Sequence, residues 1–128
     1  MTVAVPEELL VEDDWVDQRW RQLHGWLQRS FGIEPGIEGV LFLIGVRESG
    51  SGYQPKLKKE RKQELIMDGT YRAFEAIGVY RRVSSGVDSE YSWEKSRPMP
   101  TLSVEDQEKL LKVAILRYFS ELNLGMDT

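Results

Sequence analysis

The sequence predicts a mainly α fold with a small β component. About four helices form an orthogonal or bundle-like array around a buried central helix, and one short β-hairpin lies between the third and last helices. Three observations carry this. The run Ile37–Glu48, IEGVLFLIGVRE, is the most apolar stretch and is bounded by the breakers Pro35-Gly36 and Ser49-Gly50-Ser51-Gly52. Apolar residues at helical spacing flank it on both sides. Two short alternating segments around the turn-rich stretch Ser84–Glu90 precede the last helical stripe.

Residues 1–11 read as a loosely ordered lead-in, with Val5, Leu9, Leu10 and Val11 as weak anchors. The acidic Glu12-Asp13-Asp14 opens the first helix, with Asp13 or Asp14 as its cap, and the helix runs to about Phe31. Val16, Trp20, Leu23, Leu27 and Phe31 fall on one stripe, with Trp15 and Trp26 beside it. Those tryptophans suit a core or its half-buried rim, or else a stacking platform for a ligand or bases. Arg29 and Gly32 supply a C-terminal charge and a left-handed stop.

The central run is read as a helix because Pro35 suits a first turn and Glu38 complements the positive end of the dipole. Gly39 and Gly45 would weaken a strand, but in a helix they let a neighbouring backbone come close. A helix apolar on every side must be surrounded by others. The third helix spans about Leu57–Ile77 and stops at Gly78, with Leu65, Ile66, Ala73, Phe74 and Ile77 inward and Gly69 at a close-packing point. Val79–Val83 and Tyr91–Lys95 form the hairpin. Ser103, with Glu105 and Asp106, caps a last helix to about Leu122, whose stripe is Val104, Leu111, Ile115, Tyr118 and Leu122. Residues 123–128 read as a frayed tail.

A chain of 128 residues implies one domain, 1–128. With 41% hydrophobic and 30% charged residues it is too apolar to be disordered. The run Val40–Val46 falls far short of the ~20 apolar residues a membrane span needs, so no membrane role is expected. The acidic N-terminus does not resemble a signal peptide, which favours a cytoplasmic location. The absence of cysteine removes disulfides, thiolate metal sites and cysteine nucleophiles. His24 is the only histidine and has Arg21 three residues before it, which excludes the Glu-x-x-His pattern of di-iron bundles. Gly50–Lys56, GSGYQPK, has neither the Walker nor the dinucleotide spacing. No cofactor and no enzyme activity is expected.

Two features remain as candidate sites. Glu48 sits at the negative end of the central helix, so it requires a basic partner, expected from Lys56–Lys62 or the first helix. Its simplest role is a structural ion pair that fixes how two helices dock. The basic run Lys56, Lys58, Lys59, Arg61 and Lys62 crowds a helix start after a glycine-rich loop, a corner suited to phosphate, nucleic acid or an acidic protein. Glu60 and Glu64 dilute it, and a solvated helix face is the simpler explanation. Arg81 and Arg82 add a smaller positive spot, on opposite faces of a regular strand.

The stretch Leu41–Glu48, LFLIGVRE, the loop and charged helix after it, the Gly78–Tyr80 turn into a hairpin ending at Trp93, and the Leu102–Phe119 helix resemble a small uncharacterised bacterial protein family. Its core helix carries the same Phe-Leu-Ile-Gly-Val sequence and a glutamate matching Glu48. The resemblance implies the same fold and a cytoplasmic location, and brings no activity and no functional residue. The chain departs from it in the hairpin, where VSSGVDSEYSW stands in place of an acidic Asp-Gly-Trp-Pro type turn.

These features favour a non-enzymatic cytoplasmic helical module that binds a protein partner. Segregated acidic and basic ends also suit a homodimer. The alternative is a nucleic-acid- or ribosome-associated accessory that uses the basic run. A carboxylate enzyme built on Glu48 with a divalent ion comes third.

Overall fold

The computed structural model describes residues 4–50, 56–86 and 90–122. A 3₁₀ turn (Glu7–Leu10) leads into α1 (Asp13–Phe31), α2 (Ile37–Ser49), α3 (Lys59–Ala76), β1 (Tyr80–Ser84), β2 (Tyr91–Lys95) and α4 (Val104–Leu122). This is the expected mainly α fold, with an antiparallel hairpin between the third and last helices. No helix among the described residues is long and apolar enough to cross a membrane. The glycine-rich loop at 51–55, the hairpin tip at 87–89 and the tail at 123–128 lie outside the described residues.

The central packing event is the crossing of α2 and α3. A Cβ added at Gly45 would collide with the Leu65 carbonyl, and one added at Gly69 would collide with the Leu41 carbonyl. The two helices therefore meet backbone to backbone. Val40 and Ile44 are buried beside this crossing, whereas Leu43 is only half-buried and Arg47 is exposed. α2 is thus enclosed on most of its circumference but not all of it. α4 adds Leu110, Ala114, Ile115 and Phe119 to the core, and α1 adds Val16, Leu23 and Leu27.

Local details differ from the sequence reading in instructive ways. Glu12 occupies the cap position of α1 in extended backbone and makes no side-chain cap bond. Asp13 and Asp14 lie in the first turn, and the Asp13 carboxylate is taken by Lys109 Nζ at 2.9 Å. Pro35 precedes the cap residue Gly36, so it lies outside the first turn of α2. Phe31 is 62% exposed and Val104 75% exposed. Each is the terminal residue of its helix, where the apolar stripe has run past the edge of the core. The glycine stops form as expected, with φ of 72° at Gly32 and 76° at Gly78.

The lead-in is tied down. Arg97 holds Glu8 through both carboxylate oxygens, at 2.6 and 3.3 Å. Lys109 donates to the Leu9 carbonyl at 2.9 Å. At the other end of the molecule the hairpin leans on α3. Trp93 stacks on Tyr71 with ring centroids 5.3 Å apart and planes 9° apart. Ser96 closes the open end, its N–H donating to Val79 O at 2.8 Å and its hydroxyl to Gly78 O at 2.6 Å. A two-stranded hairpin is marginal alone, and here helix aromatics supply its missing layer. Ser103 Oγ accepts the Asp106 backbone N–H at 3.1 Å, which caps α4.

Thermal and urea melts check this packing. Gly45→Ala should destabilise by about 3 kcal/mol, because no flexible side chain can yield to the added methyl. Ile44→Ala should cost ~2–5 kcal/mol and Leu43→Ala distinctly less. Ser103→Ala should cost about 1 kcal/mol.

Candidate functional site

Glu48 and Arg72 stand three residues beyond the two crossing glycines, one on each helix. Arg72 Nη1 lies 3.2 Å from Glu48 Oε1, and Arg47 Nη1 lies 2.7 Å from Glu48 Oε2. The partners of Glu48 are therefore its own neighbour and a residue of α3. Neither the basic run nor α1 supplies one, because the helix crossing turns that end of α2 toward the middle of α3. Arg72 is only 8% exposed. Its Nη2 donates to Tyr91 Oη at 2.9 Å, and its guanidinium lies 5.4 Å and 5.5 Å from the Tyr91 and Trp93 ring centroids. Arg72 Nε is buried with no hydrogen-bond partner. The arginine pins α2, α3 and the hairpin to one point.

α4 joins this network through Tyr118, whose hydroxyl accepts a hydrogen bond from Arg47 Nη1 at 3.3 Å. Burial, and after it the Glu48 charge, push the Tyr118 phenol up to about 12 against the opposing effect of Arg47. Glu48 lines neither of the two concavities described below. No group of three or more metal-ligating side chains occurs among the described residues.

The basic positions separate into two kinds. Lys56, Lys58, Lys59, Arg61 and Lys62 are all exposed at the start of α3. Arg61 pairs with Glu64 at 3.1 Å, while the four lysines have no carboxylate partner among the described residues. Arg81 and Arg82 are engaged: Arg81 holds Glu94 across the hairpin at 2.8 Å, and Arg82 holds Glu75 of α3 at 2.8 Å. They point to opposite faces, as strand alternation requires. Glu75 lies sixteen residues along α3 from Lys59, about 24 Å at 1.5 Å per residue, so the two groups do not form one patch.

A feature that the sequence reading did not single out is a groove of about 620 Å³ between the 3₁₀ turn, α1 and α4. Leu23, Val113 and Leu116 supply apolar lining, together with Leu10, Trp15, Arg19, Arg117 and Glu7. Leu10 is 79% exposed and Trp15 43% exposed. The Arg19 guanidinium lies 5.3 Å from the Trp15 ring centroid. Trp20 and Trp26 instead sit half-buried, Trp20 against His24 and Lys112, and Trp26 against Phe119. Of the three, Trp15 alone is exposed. The signal in the sequence was Arg117, the one charge in the stretch Val113–Ser120. A shallower trough of about 370 Å³ runs along α3 past Ile66, Met67, Tyr71 and Phe74.

Comparisons with protein-family models, with curated proteins and with solved structures returned no match. The chemistry of these sites rests on their own residues.

Glu48→Gln should destabilise by roughly 2–4 kcal/mol, since it leaves the buried Arg72 with only Glu75, 4.0 Å away and shared with Arg82, as counter-charge. Arg72→Met should cost less, because Glu48 keeps Arg47. The folded chain holds the Tyr118 proton more tightly than the unfolded chain does. That contribution to stability is therefore intact below about pH 10 and is lost as pH rises towards 12. Melts across this range should show a steeper alkaline decline for the parent chain than for Tyr118→Phe.

Proposed function

We propose that this chain is a non-enzymatic module that binds a protein partner through the groove between the 3₁₀ turn, α1 and α4. The observation that carries this reading is the exposure of Leu10 and Trp15 on the rim of a concavity with a buried apolar lining. A large aliphatic and an indole left in water cost free energy that a docked surface would recover. Tryptophan and arginine around an apolar pocket are also the residue types that dominate binding energy at protein interfaces. The Glu48–Arg72 network serves as scaffold in this reading, because each of its charges already has a partner.

A second reading, nucleic-acid or ribosome association, draws on Lys56, Lys58, Lys59 and Lys62, which are exposed and carry no counter-charge among the described residues. Affinity capture from a bacterial lysate separates the two, with three baits run at low and high salt and with or without nuclease. The baits are the parent chain, Leu10→Asp/Trp15→Ala and Lys58→Glu/Lys59→Glu. All four substituted side chains are exposed, so each variant should melt close to the parent. A protein retained at high salt by the parent and the lysine variant, and lost from the groove variant, is the expected result. Nucleic acid that is released by salt and absent from the lysine variant would instead support the second reading. Sedimentation of the parent chain reports whether a second copy occupies the groove.

A further inference from the structure

The two long walls of the groove are regular helical stripes. On α1 they are Trp15, Arg19, Gln22 and Leu23, and on α4 they are Val113, Leu116, Arg117 and Ser120. Both sets follow the i, i+3/i+4, i+7 spacing of a single helix face. The contacts Asp13–Lys109, Trp20–Lys112 and Trp26–Phe119 rise together in number, so the two helices run in the same direction. The groove therefore has distinguishable ends. Leu10 and Glu7 of the 3₁₀ turn also line it, and Arg19 and Arg117 stand on the α1 and α4 walls respectively.

The groove is lined by two carboxylates, Glu7 and Glu8, and two guanidiniums, Arg19 and Arg117. Glu8 is present, but Arg97 holds both of its oxygens. Burial pushes the Glu8 carboxyl up, yet the hydrogen bond from Arg97 and the charges of Arg97 and Arg117 outweigh it and hold it below the usual value. Glu8 is thus taken up by Arg97, with Arg117 acting on it only as a more distant charge. Arg117 is exposed, and the described residues give it no ion pair. It stands one residue from the buried Leu116 and so presents a guanidinium next to apolar surface.

We infer that the occupant of the groove is an amphipathic peptide segment of a protein partner, with a bulky apolar side chain against Leu23, Val113 and Leu116 and a carboxylate received by Arg117. This rests on the protein-binding reading above and adds the chemistry of the segment. A helix with anchors at i, i+3/i+4 and i+7 fits such a two-helix groove. A planar guanidinium beside an apolar floor selects a carboxylate through paired, charge-assisted hydrogen bonds.

The test is selection of a displayed library of random twelve-residue peptides on the immobilised full chain, with Leu10→Asp/Trp15→Ala as the counter-bait. Groove-dependent peptides should pair an aromatic or branched apolar residue with Asp or Glu. Arg117→Glu should turn the enrichment toward Lys and Arg, and Arg117→Gln should abolish the charge preference without reversing it. One acidic peptide from the selection should lose about tenfold or more in affinity for Arg117→Glu. Groove-dependent peptides without an acidic residue, or with basic ones, would overturn this inference and leave the protein-binding reading standing. A groove-dependent protein from the lysate with no groove-dependent peptide would likewise overturn it, since the partner then docks as a folded surface. Failure of both selections overturns the two readings together.

Discussion

Everything on the hairpin side of the molecule depends on the approach of two backbones at Gly45 and Gly69. The helices meet at main-chain distance, so the side chains one turn further along each are brought together without needing to be long. Glu48 and Arg72 pair there. The pair would be costly without that proximity, because a guanidinium removed from water needs a counter-charge held in place. Once fixed, Arg72 offers its remaining surface to Tyr91 and Trp93, and the hairpin is anchored through it. A steric permission granted by two missing side chains thus becomes an electrostatic attachment point for a third element.

The chain distributes its positive charges unequally. The arginines Arg47, Arg72, Arg81, Arg82 and Arg97 all hold carboxylates. Lys56, Lys58, Lys59 and Lys62 stay in water. A planar guanidinium forms directed bonds at low hydration cost, whereas an ammonium is strongly hydrated, although Lys109 and Lys112 on α4 do hold Asp13 and Glu108. Arg117, like Arg21 and Arg29, makes no ion pair among the described residues, and it is the one of the three that lines the groove.

Much of the architecture was legible in the sequence because it follows local rules. Helical stripes, the glycine stops at Gly32 and Gly78 and the Ser103 cap depend on neighbours within one or two turns. Gly45 and Gly69 could be marked as close-packing points since little else explains glycine inside an apolar helix. Phe31 and Val104 were misplaced because periodicity carries no information on where a core ends. The partner of Glu48 was sought in the nearest basic run, yet the helix crossing put Arg72 beside it. Beyond the lone charge of Arg117 in an apolar stretch, the groove was not legible. It arises where the 3₁₀ turn and α1 fail to cover α4 completely, and a gap between elements leaves no periodic trace in any one of them.

The parallel arrangement of α1 and α4 also bears on how the molecule opens. α2 and α3 are locked by their backbone crossing and by the Arg72 network, whereas α1 rests chiefly on α4. Regions held by fewer interactions detach at lower free energy than the cooperative centre. The outer wall of the groove is therefore the piece of the fold least committed to the folded state, and α4 is shared between it and the locked half. Anything that bridges Trp15 and Arg117 would act as a staple across that seam, raising the opening energy of α1 toward that of the whole domain.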